Sequence, residues 1–238
     1  MYISVIIPAY NEGKNIANTV RSIFGYLKGK NIEHEIIVAT DGSTDKTAEI
    51  VRLLKTEIPT LDLIEYQDNK GKGFAVKAGM IKAKGDLRLF TDADNATPIE
   101  HLDKFLPYVV EGYQVVIGSI AVSGHKVAAG SEPAWRRLFG KLGNLFIQIM
   151  AVPGIHDTQR GFKLFTAEAA EKIFSKLTIE RFGFDIEALA LARRFGYKIK
   201  EVPVDWKNAA ESRVSLRSYF QVLTETIKIR WNLWMGKY

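Results

Sequence analysis

An apolar strand pattern, Leu87 to Phe90, runs directly into Thr91-Asp92-Ala93-Asp94, two carboxylates one residue apart. In extended backbone, residues i and i+2 face the same side, so Asp92 and Asp94 project together. Two like charges that close need a cation or a dense hydrogen-bond network. A hard divalent ion shared with substrate phosphates suits the pair, because magnesium takes one or two protein carboxylates and completes its shell with phosphate oxygens and water. The plainer alternative is a strand-to-helix turn in which Asp94 or Asn95 caps a helix opening near Pro98. Taken alone, a D-x-D supports the plainer reading, and what shifts it is the company the pair keeps.

Three further clusters fall at expected strand ends. In Pro8-Ala9-Tyr10-Asn11-Glu12, Pro8 is expected to end a strand, since it cannot donate to the ladder. Tyr10 offers a flat face for a base and Glu12 an acceptor for a ribose or base donor. The alternative makes Asn11 a helix cap and Glu12 a charge favoured by the helix dipole. In Asp41-Gly42-Ser43-Thr44-Asp45, Gly42 permits a tight turn and Asp41 could read the N3–H side of a pyrimidine. Asp45 reads better as a charge at the start of the next helix, beside a Ser43 or Thr44 cap. Asn69-Lys70-Gly71-Lys72-Gly73 places glycines and lysines near a helix start, where phosphate binds. It matches neither the P-loop nor the dinucleotide fingerprint, and a surface turn is its alternative.

The elements that must position these clusters alternate over residues 1–119. Tyr2 to Ile7, Glu35 to Thr40, Leu61 to Tyr66, Leu87 to Phe90 and Val115 to Gly118 read as strands. Helical spacing separates them, as in Ile16, Val20, Ile23, Phe24 and Leu27. This is an α/β pattern, a doubly wound and mostly parallel sheet, and such sheets bind ligands outside the carboxyl ends of their strands. In residues 120–238, Trp135, Leu138, Phe139, Leu142, Leu145, Phe146 and Ile149 form an amphipathic stripe over 133–151. A helix is expected over 187–195, a strand over 198–204, a loop over 207–213 and a closing helix over 216–234. With no Pro/Gly/Ser linker and no internal repeat, residues 1–238 are expected to form one domain.

Composition narrows the classes. Of 238 residues, 47% are hydrophobic and 25% charged, which is ordinary for a globular α/β domain. Cysteine is absent, which removes disulfides and thiolate metal sites, and four scattered His make a histidine-rich site unexpected. The opening Met-Tyr-Ile-Ser-Val-Ile-Ile-Pro is expected to be a strand rather than a signal peptide. No run of about 18 apolar residues suggests a membrane span. A formal charge of +6 suits an anionic partner. The dispersal of the basic residues and the lack of a binding motif argue against nucleic acid.

Together the four clusters occur in the order and spacing of family 2 (GT-A) glycosyltransferases. The chain resembles the branch that loads a sugar onto a polyprenyl phosphate. Asp157-Thr158-Gln159-Arg160-Gly161-Phe162-Lys163-Leu164-Phe165, Asp94-Asn95-Ala96-Thr97 and Phe184-Asp185-Ile186-Glu187 are similar to dolichyl-phosphate β-glucosyltransferases. The resemblance implies a GT-A fold: a Rossmann-like, mostly parallel sheet flanked by helices, with amphipathic C-terminal helices. Residues 1–119 would be the nucleotide-sugar half and 120–238 the acceptor and membrane-facing half. Pro8, Ala9, Tyr10, Glu12, Ala39, Asp41, Lys72, Asp92 and Ala93 would bind the nucleotide. Asp94 would ligate Mg²⁺ or Mn²⁺. Asp94, Asp157 and Arg160 would be catalytic, with Arg160, Ser212 and Arg213 on the acceptor and diphosphate side.

The implied reaction is inverting transfer of one sugar, glucose from UDP-glucose, to a polyprenyl or dolichyl phosphate. The alternatives are a GDP-mannose-dependent mannosyltransferase and a catalytically weakened nucleotide-sugar-binding protein. Ala96 stands where the mannosyl branch has a metal-binding Gln, which turns the expectation toward glucose. Ile120 stands where the family commonly has Arg, so that charge must come from Lys126, Arg160 or Arg213. Thr40 replaces a common acidic residue, and the missing Gln-x-x-Arg-Trp motif argues for single-sugar transfer. The acceptor implies a peripheral protein on the cytoplasmic membrane face. Trp135, Phe139, Leu142 and Phe146 beside Arg136, Arg137 and Lys141, and Tyr219, Phe220, Trp231 and Trp234 with Arg217, Lys228 and Arg230, suit a bilayer interface. The same stripes could instead pack on the sheet or pair two copies in a homodimer.

Overall fold

The computed structural model describes residues 1–122, 134–206 and 216–238, with side chains described there except at 134–139, 141, 216 and 217. Seven strands form one sheet: β1 (Tyr2–Ala9), β2 (Glu33–Asp41), β3 (Leu61–Tyr66), β4 (Leu87–Thr91), β5 (Val115–Ser119), β6 (Phe162–Thr166) and β7 (Ile199–Pro203). Their order is β3-β2-β1-β4-β6-β5-β7. All pairings are parallel except those of β6, which runs antiparallel to both β4 and β5. The helices are α1 (Ile16–Gly29), α2 (Thr47–Glu57), α3 (Lys72–Lys82), α4 (Leu102–Val110), α5 (Ala134–Met150), α6 (Ala167–Lys176), α7 (Phe184–Arg194) and α8 (Leu216–Trp234), with a 3₁₀ turn at Ile99–His101 before α4.

Strand alternation divides the core between the two faces of the sheet. Ile3, Val5 and Ile7 of β1 pack with Val20 and Ile23 of α1 and Phe105 of α4. Ile6 joins Phe90, Val76 and Met80 of α3, Phe174 of α6 and Phe184 of α7 on the other face. Burial on both faces explains the continuous apolar run of β1.

Three sequence expectations change here. Pro8 does not end β1, which continues to Ala9 and pairs Pro8 with Ala39. Pairing with β4 has already stopped at Ile6–Phe90, so on that side no ladder partner needs the missing amide. β6 has no counterpart among the expected strands, because Lys163, its second residue, interrupts the short apolar pattern of Phe162, Leu164 and Phe165. The helix expected over 187–195 starts earlier, at Phe184. The expected loop over 207–213 lies outside the described residues.

Candidate active site

Because β2, β1 and β4 are neighbours, their carboxyl ends bring three of the four clusters together. Asn11, with φ 54°, is not a helix cap, since α1 starts only at Ile16. Its side-chain oxygen accepts from Thr44 N–H at 2.8 Å and Asp45 N–H at 3.3 Å, while its own N–H donates to the Ser43 hydroxyl at 3.1 Å. Asn11 thus ties the β1 loop to the β2 loop. Asp45 has the structural role expected of it. Its carboxylate accepts from Gly13 N–H at 2.9 Å and from Thr47 N–H at 2.9 Å, at the start of α2. Burial alone would raise its pKa, but these bonds and the Thr47 hydroxyl outweigh that and lower it. Tyr10 is 42% exposed and so presents its ring at the surface of this cluster. Glu12 accepts from the Asn15 amide at 2.9 Å, and Ala9 and Ala39, at the carboxyl ends of β1 and β2, are buried.

Asp41, expected to read a base, is seen in a structural clasp. It is buried, and its two carboxylate oxygens accept from Lys70 N–H at 2.9 Å and Gly71 N–H at 2.6 Å. The Asn69 amide donates to its backbone carbonyl at 3.0 Å. The other side of this segment packs on residues 179–184. A Cβ on Gly71, where φ is 122°, would lie 2.5 Å from the Glu180 carbonyl oxygen, and one on Gly73 2.6 Å from the Phe184 Cβ. The glycines therefore serve close packing of the α3 start, not a free surface turn. The result is the placement of Lys72, the first residue of α3, whose Nζ lies 2.6 Å from Asp92 Oδ1.

Asp92 and Asp94 follow β4 directly. Asp92 N–H donates to the Gly161 carbonyl at 3.2 Å. A Cβ on Gly161 would fall 2.1 Å from Asp92 Oδ2, so only glycine fits beside this carboxylate. The Ala93 carbonyl accepts from the Thr19 hydroxyl at 2.6 Å. Asp94 Oδ1 accepts from Ala96 N–H at 2.9 Å. It therefore closes a local turn, with Asn95 at φ 54°, and does not cap the turn at Ile99–His101. Burial, reinforced by the Asp92 charge, raises the Asp94 pKa against the opposing pull of Ala96 N–H and Lys72. For Lys72, burial favours the neutral form, but the Asp92 and Asp185 carboxylates more than offset it and raise its pKa.

Among the described residues no group of three or more His, Cys, Asp or Glu could enclose a metal. The donor set fits a different arrangement. Two aspartates on one strand end, one of them with an oxygen left over after its turn bond, suit a hard divalent ion whose remaining ligands come from a substrate diphosphate and water.

Asp157, Arg160 and Ile120 meet beside this pair. Asp157 Oδ2 accepts from Ile120 N–H at 3.0 Å and from Arg160 Nε at 3.2 Å. Glu201 accepts from the N–H of Asp157 at 2.9 Å and of His156 at 3.0 Å. The Arg160 guanidinium lies 4.6 Å over the Trp206 ring. Asp157 thus holds Arg160 next to residue 120, where the family pattern places an arginine. Ser212, Arg213 and Lys126 lie outside the described residues.

Sequence reasoning missed the roles of Lys163, Asp185, Trp206 and His101. Lys163 and Asp185 form a buried pair at 2.6 Å, and Lys163 also donates to the Arg160 carbonyl. Burial lowers the Lys163 pKa and raises that of Asp185, each partly opposed by its partner. The pair lies 22 positions apart in sequence, so no local spacing announces it. Its one sequence signal was a charge inside each of two apolar stretches. Trp206 and His101 show none, because each acts through a contact made only by folding. His101 Nε2 accepts from Asp205 N–H at 3.0 Å, which places the residue before Trp206.

Three comparisons with known proteins bear on this site. The family model described as Glycosyl transferase family 2 matches residues 4–174. A dolichyl-phosphate beta-glucosyltransferase of Trichomonas vaginalis is 37% identical over 96% of the chain and 73% of its own length. The human protein of the same name is 32% identical over 96% of the chain and 74% of its length. Among solved structures, glucosyl-3-phosphoglycerate synthase from Mycobacterium tuberculosis, in complex with Mn²⁺, UDP and glucosyl-3-phosphoglycerate, superposes with a TM-score of 0.68. It covers 95% of this chain and 77% of that one at 20% identity, a likeness of fold.

Proposed function

The chain belongs to glycosyl transferase family 2, and from that premise we propose that it transfers one glucose from UDP-glucose to a dolichyl or related polyprenyl phosphate, with inversion. The observation that carries this reading is the convergence of Asp92, Asp94 and Lys72 at the carboxyl end of β4, beside the β1 and β2 loops. The dolichyl-phosphate beta-glucosyltransferases that align along nearly the whole chain supply the donor sugar and the acceptor class.

In this reading Tyr10, Glu12 and Asp41 face the nucleoside, between the floor formed by Pro8, Ala9 and Ala39 and the Asp92-Ala93 turn. Asp94, with Asp92 alongside, would hold Mg²⁺ or Mn²⁺. When bound, the ion supplies positive charge to the diphosphate leaving group. The acceptor, a phosphate monoester with a second pKa of about 6, is already largely dianionic at neutral pH and needs no general base. What the protein contributes is placement of two anionic reactants and relief of their repulsion. Arg160 is the cation for that task. Asp157 and Trp206 hold its side chain and Lys163 holds its carbonyl, so its guanidinium substitutes for the arginine missing at residue 120. The family resemblance would add Ser212 and Arg213, outside the described residues, to the acceptor side. Asp157 is on this view a positioning carboxylate.

A membrane-bound acceptor requires the protein to reach a bilayer. Among the described residues no helix is long and apolar enough to cross one. α5 and α8 pack against each other. They expose Leu142, Leu145 and Ile149 on α5 and Phe220, Ile227, Trp231 and Trp234 on α8. Spacings of three, four and seven put each set on one face. On α8 that face is opposite the buried Val222, Thr226 and Ile229. Lys228 and Arg230 are exposed beside it. We place this surface in the interface of a membrane, on its cytoplasmic face.

The test is transfer of label from UDP-[¹⁴C]glucose to dolichyl phosphate with Mn²⁺ or Mg²⁺, with GDP-mannose in parallel. A glucolipid extractable into organic solvent is expected. Label only from GDP-mannose would move the assignment to mannose. UDP-glucose binding without transfer would favour the weakened nucleotide-sugar-binding reading that Ile120 motivates.

A further inference from the structure

Among the described residues, Lys72 is the one cation ion-paired to either of the Asp92 and Asp94 carboxylates of the candidate site. Lys72 Nζ lies 2.6 Å from Asp92 Oδ1, and among the described residues this is the one ion pair of Asp92. Asp94 has none there; its bond is to Ala96 N–H. The second carboxylate near Lys72, Asp185, is already engaged by Lys163 at 2.6 Å. The Lys72 backbone has no freedom to drift away. Asp41 grips the N–H groups of Lys70 and Gly71, and Gly71 and Gly73 press α3 against residues 179–184. Four rotatable bonds nevertheless let its ammonium exchange partners locally, and the side chain keeps 23% of its surface open to solvent.

From this geometry we propose that Lys72 is a resident counter-ion that competes with the divalent metal for Asp92. It neutralises the carboxylate while the site is empty, and it turns to the nucleotide's diphosphate when metal and nucleotide enter together. A metal ion arriving alone must displace the ammonium from its one ion pair among the described residues. Arriving with a diphosphate, it finds that the displaced ammonium gains a new anionic partner. Metal and nucleotide therefore assist one another, and part of that coupling belongs to Lys72. The inference rests on the proposed assignment of the site to a nucleotide diphosphate and its metal.

The test measures Mn²⁺ binding by electron paramagnetic resonance of the free ion, without nucleotide and with saturating UDP, for the wild type, Lys72→Met and Lys72→Arg. Lys72→Met should bind Mn²⁺ alone about tenfold more tightly than the wild type, the scale of one opposed charge removed near the surface. It should also gain less from UDP. Lys72→Arg, which keeps the charge, should stay with the wild type. A cooperative thermal melt confirms that each variant is folded, and Lys72→Gln replaces Lys72→Met if the latter is not. If the wild type binds Mn²⁺ with UDP but the uncharged variant binds Mn²⁺ alone no more tightly, the counter-ion role is overturned and the functional reading stands. If the wild type binds neither UDP nor Mn²⁺, both fall.

Discussion

Asp94 and Gly161 show how narrowly single residues define this site. Asp94 is the ligand proposed for the metal, and its substitution removes charge aimed at a developing diphosphate. Asp94→Asn is expected to lower turnover by about a hundredfold or more while keeping the turn at Ala96 and the melting temperature. Turnover near the wild-type level at saturating Mn²⁺ would reject the metal role. Gly161→Ala acts through space. Its new Cβ would stand 2.1 Å from Asp92 Oδ2 and 2.4 Å from Oδ1, inside the carboxylate itself. Either the carboxylate turns away or β6 shifts, so nucleotide binding should weaken about tenfold or more. The cost in stability should be about 1–3 kcal/mol, read from a denaturant melt alongside a UDP titration.

At the scale of elements, the start of α3 and the residues before Trp206 are the parts whose local structure serves the site. Gly71→Ala would force an L side chain to φ 122° and drive its Cβ against the Glu180 carbonyl. A loss of about 2–3 kcal/mol is expected, or about 5–10 °C in Tm for a chain of this size. Nucleotide binding should weaken with it, because the same loop carries Lys72. His101 makes the other element sensitive to acid. Burial lowers its pKa from the ordinary 6.5, helped by Lys104 and opposed by Asp205 and Glu100. Its Nε2 must be unprotonated to accept from Asp205 N–H. A base whose folded pKa is depressed contributes stability that is full above its unfolded pKa and is lost as pH falls through its folded pKa. Stability should therefore decline below about pH 6.5 in a His101→Gln-sensitive way. A proton NMR titration should find the His101 ring changing below 6.5; a midpoint above it would contradict this account.

At the scale of the whole molecule, charge and exposed apolar surface act together. The net charge of +6 and the α5–α8 stripe suit anionic bilayers. Vesicles containing anionic lipid should carry the protein down at low salt and release much of it at high salt, since screening shortens the reach of exposed charges. Replacing Trp231 and Trp234 together by Ser should reduce pelleting about tenfold or more without changing UDP affinity. If pelleting is unchanged and the exposed stripe is instead buried between two copies in solution, a homodimer replaces the membrane as its partner.

The identities of the strand-end carboxylates, the alternation of strands and helices and the apolar stripes were legible in the sequence, because each is a local pattern with a fixed period. Membership of family 2 followed from four such clusters in order. Folding alone decided what the clusters do to one another. Asp41 looked like a base reader and also clasps Gly71. The glycines around Lys72, open between a phosphate-binding helix start and a surface turn, pack against residues 179–184. Lys163 hid β6 because a buried charge is intelligible only once Asp185 stands 2.6 Å away. Burial removes water as a partner, so every charge taken inside must find another, and that partner is chosen by the fold rather than by neighbours in the chain.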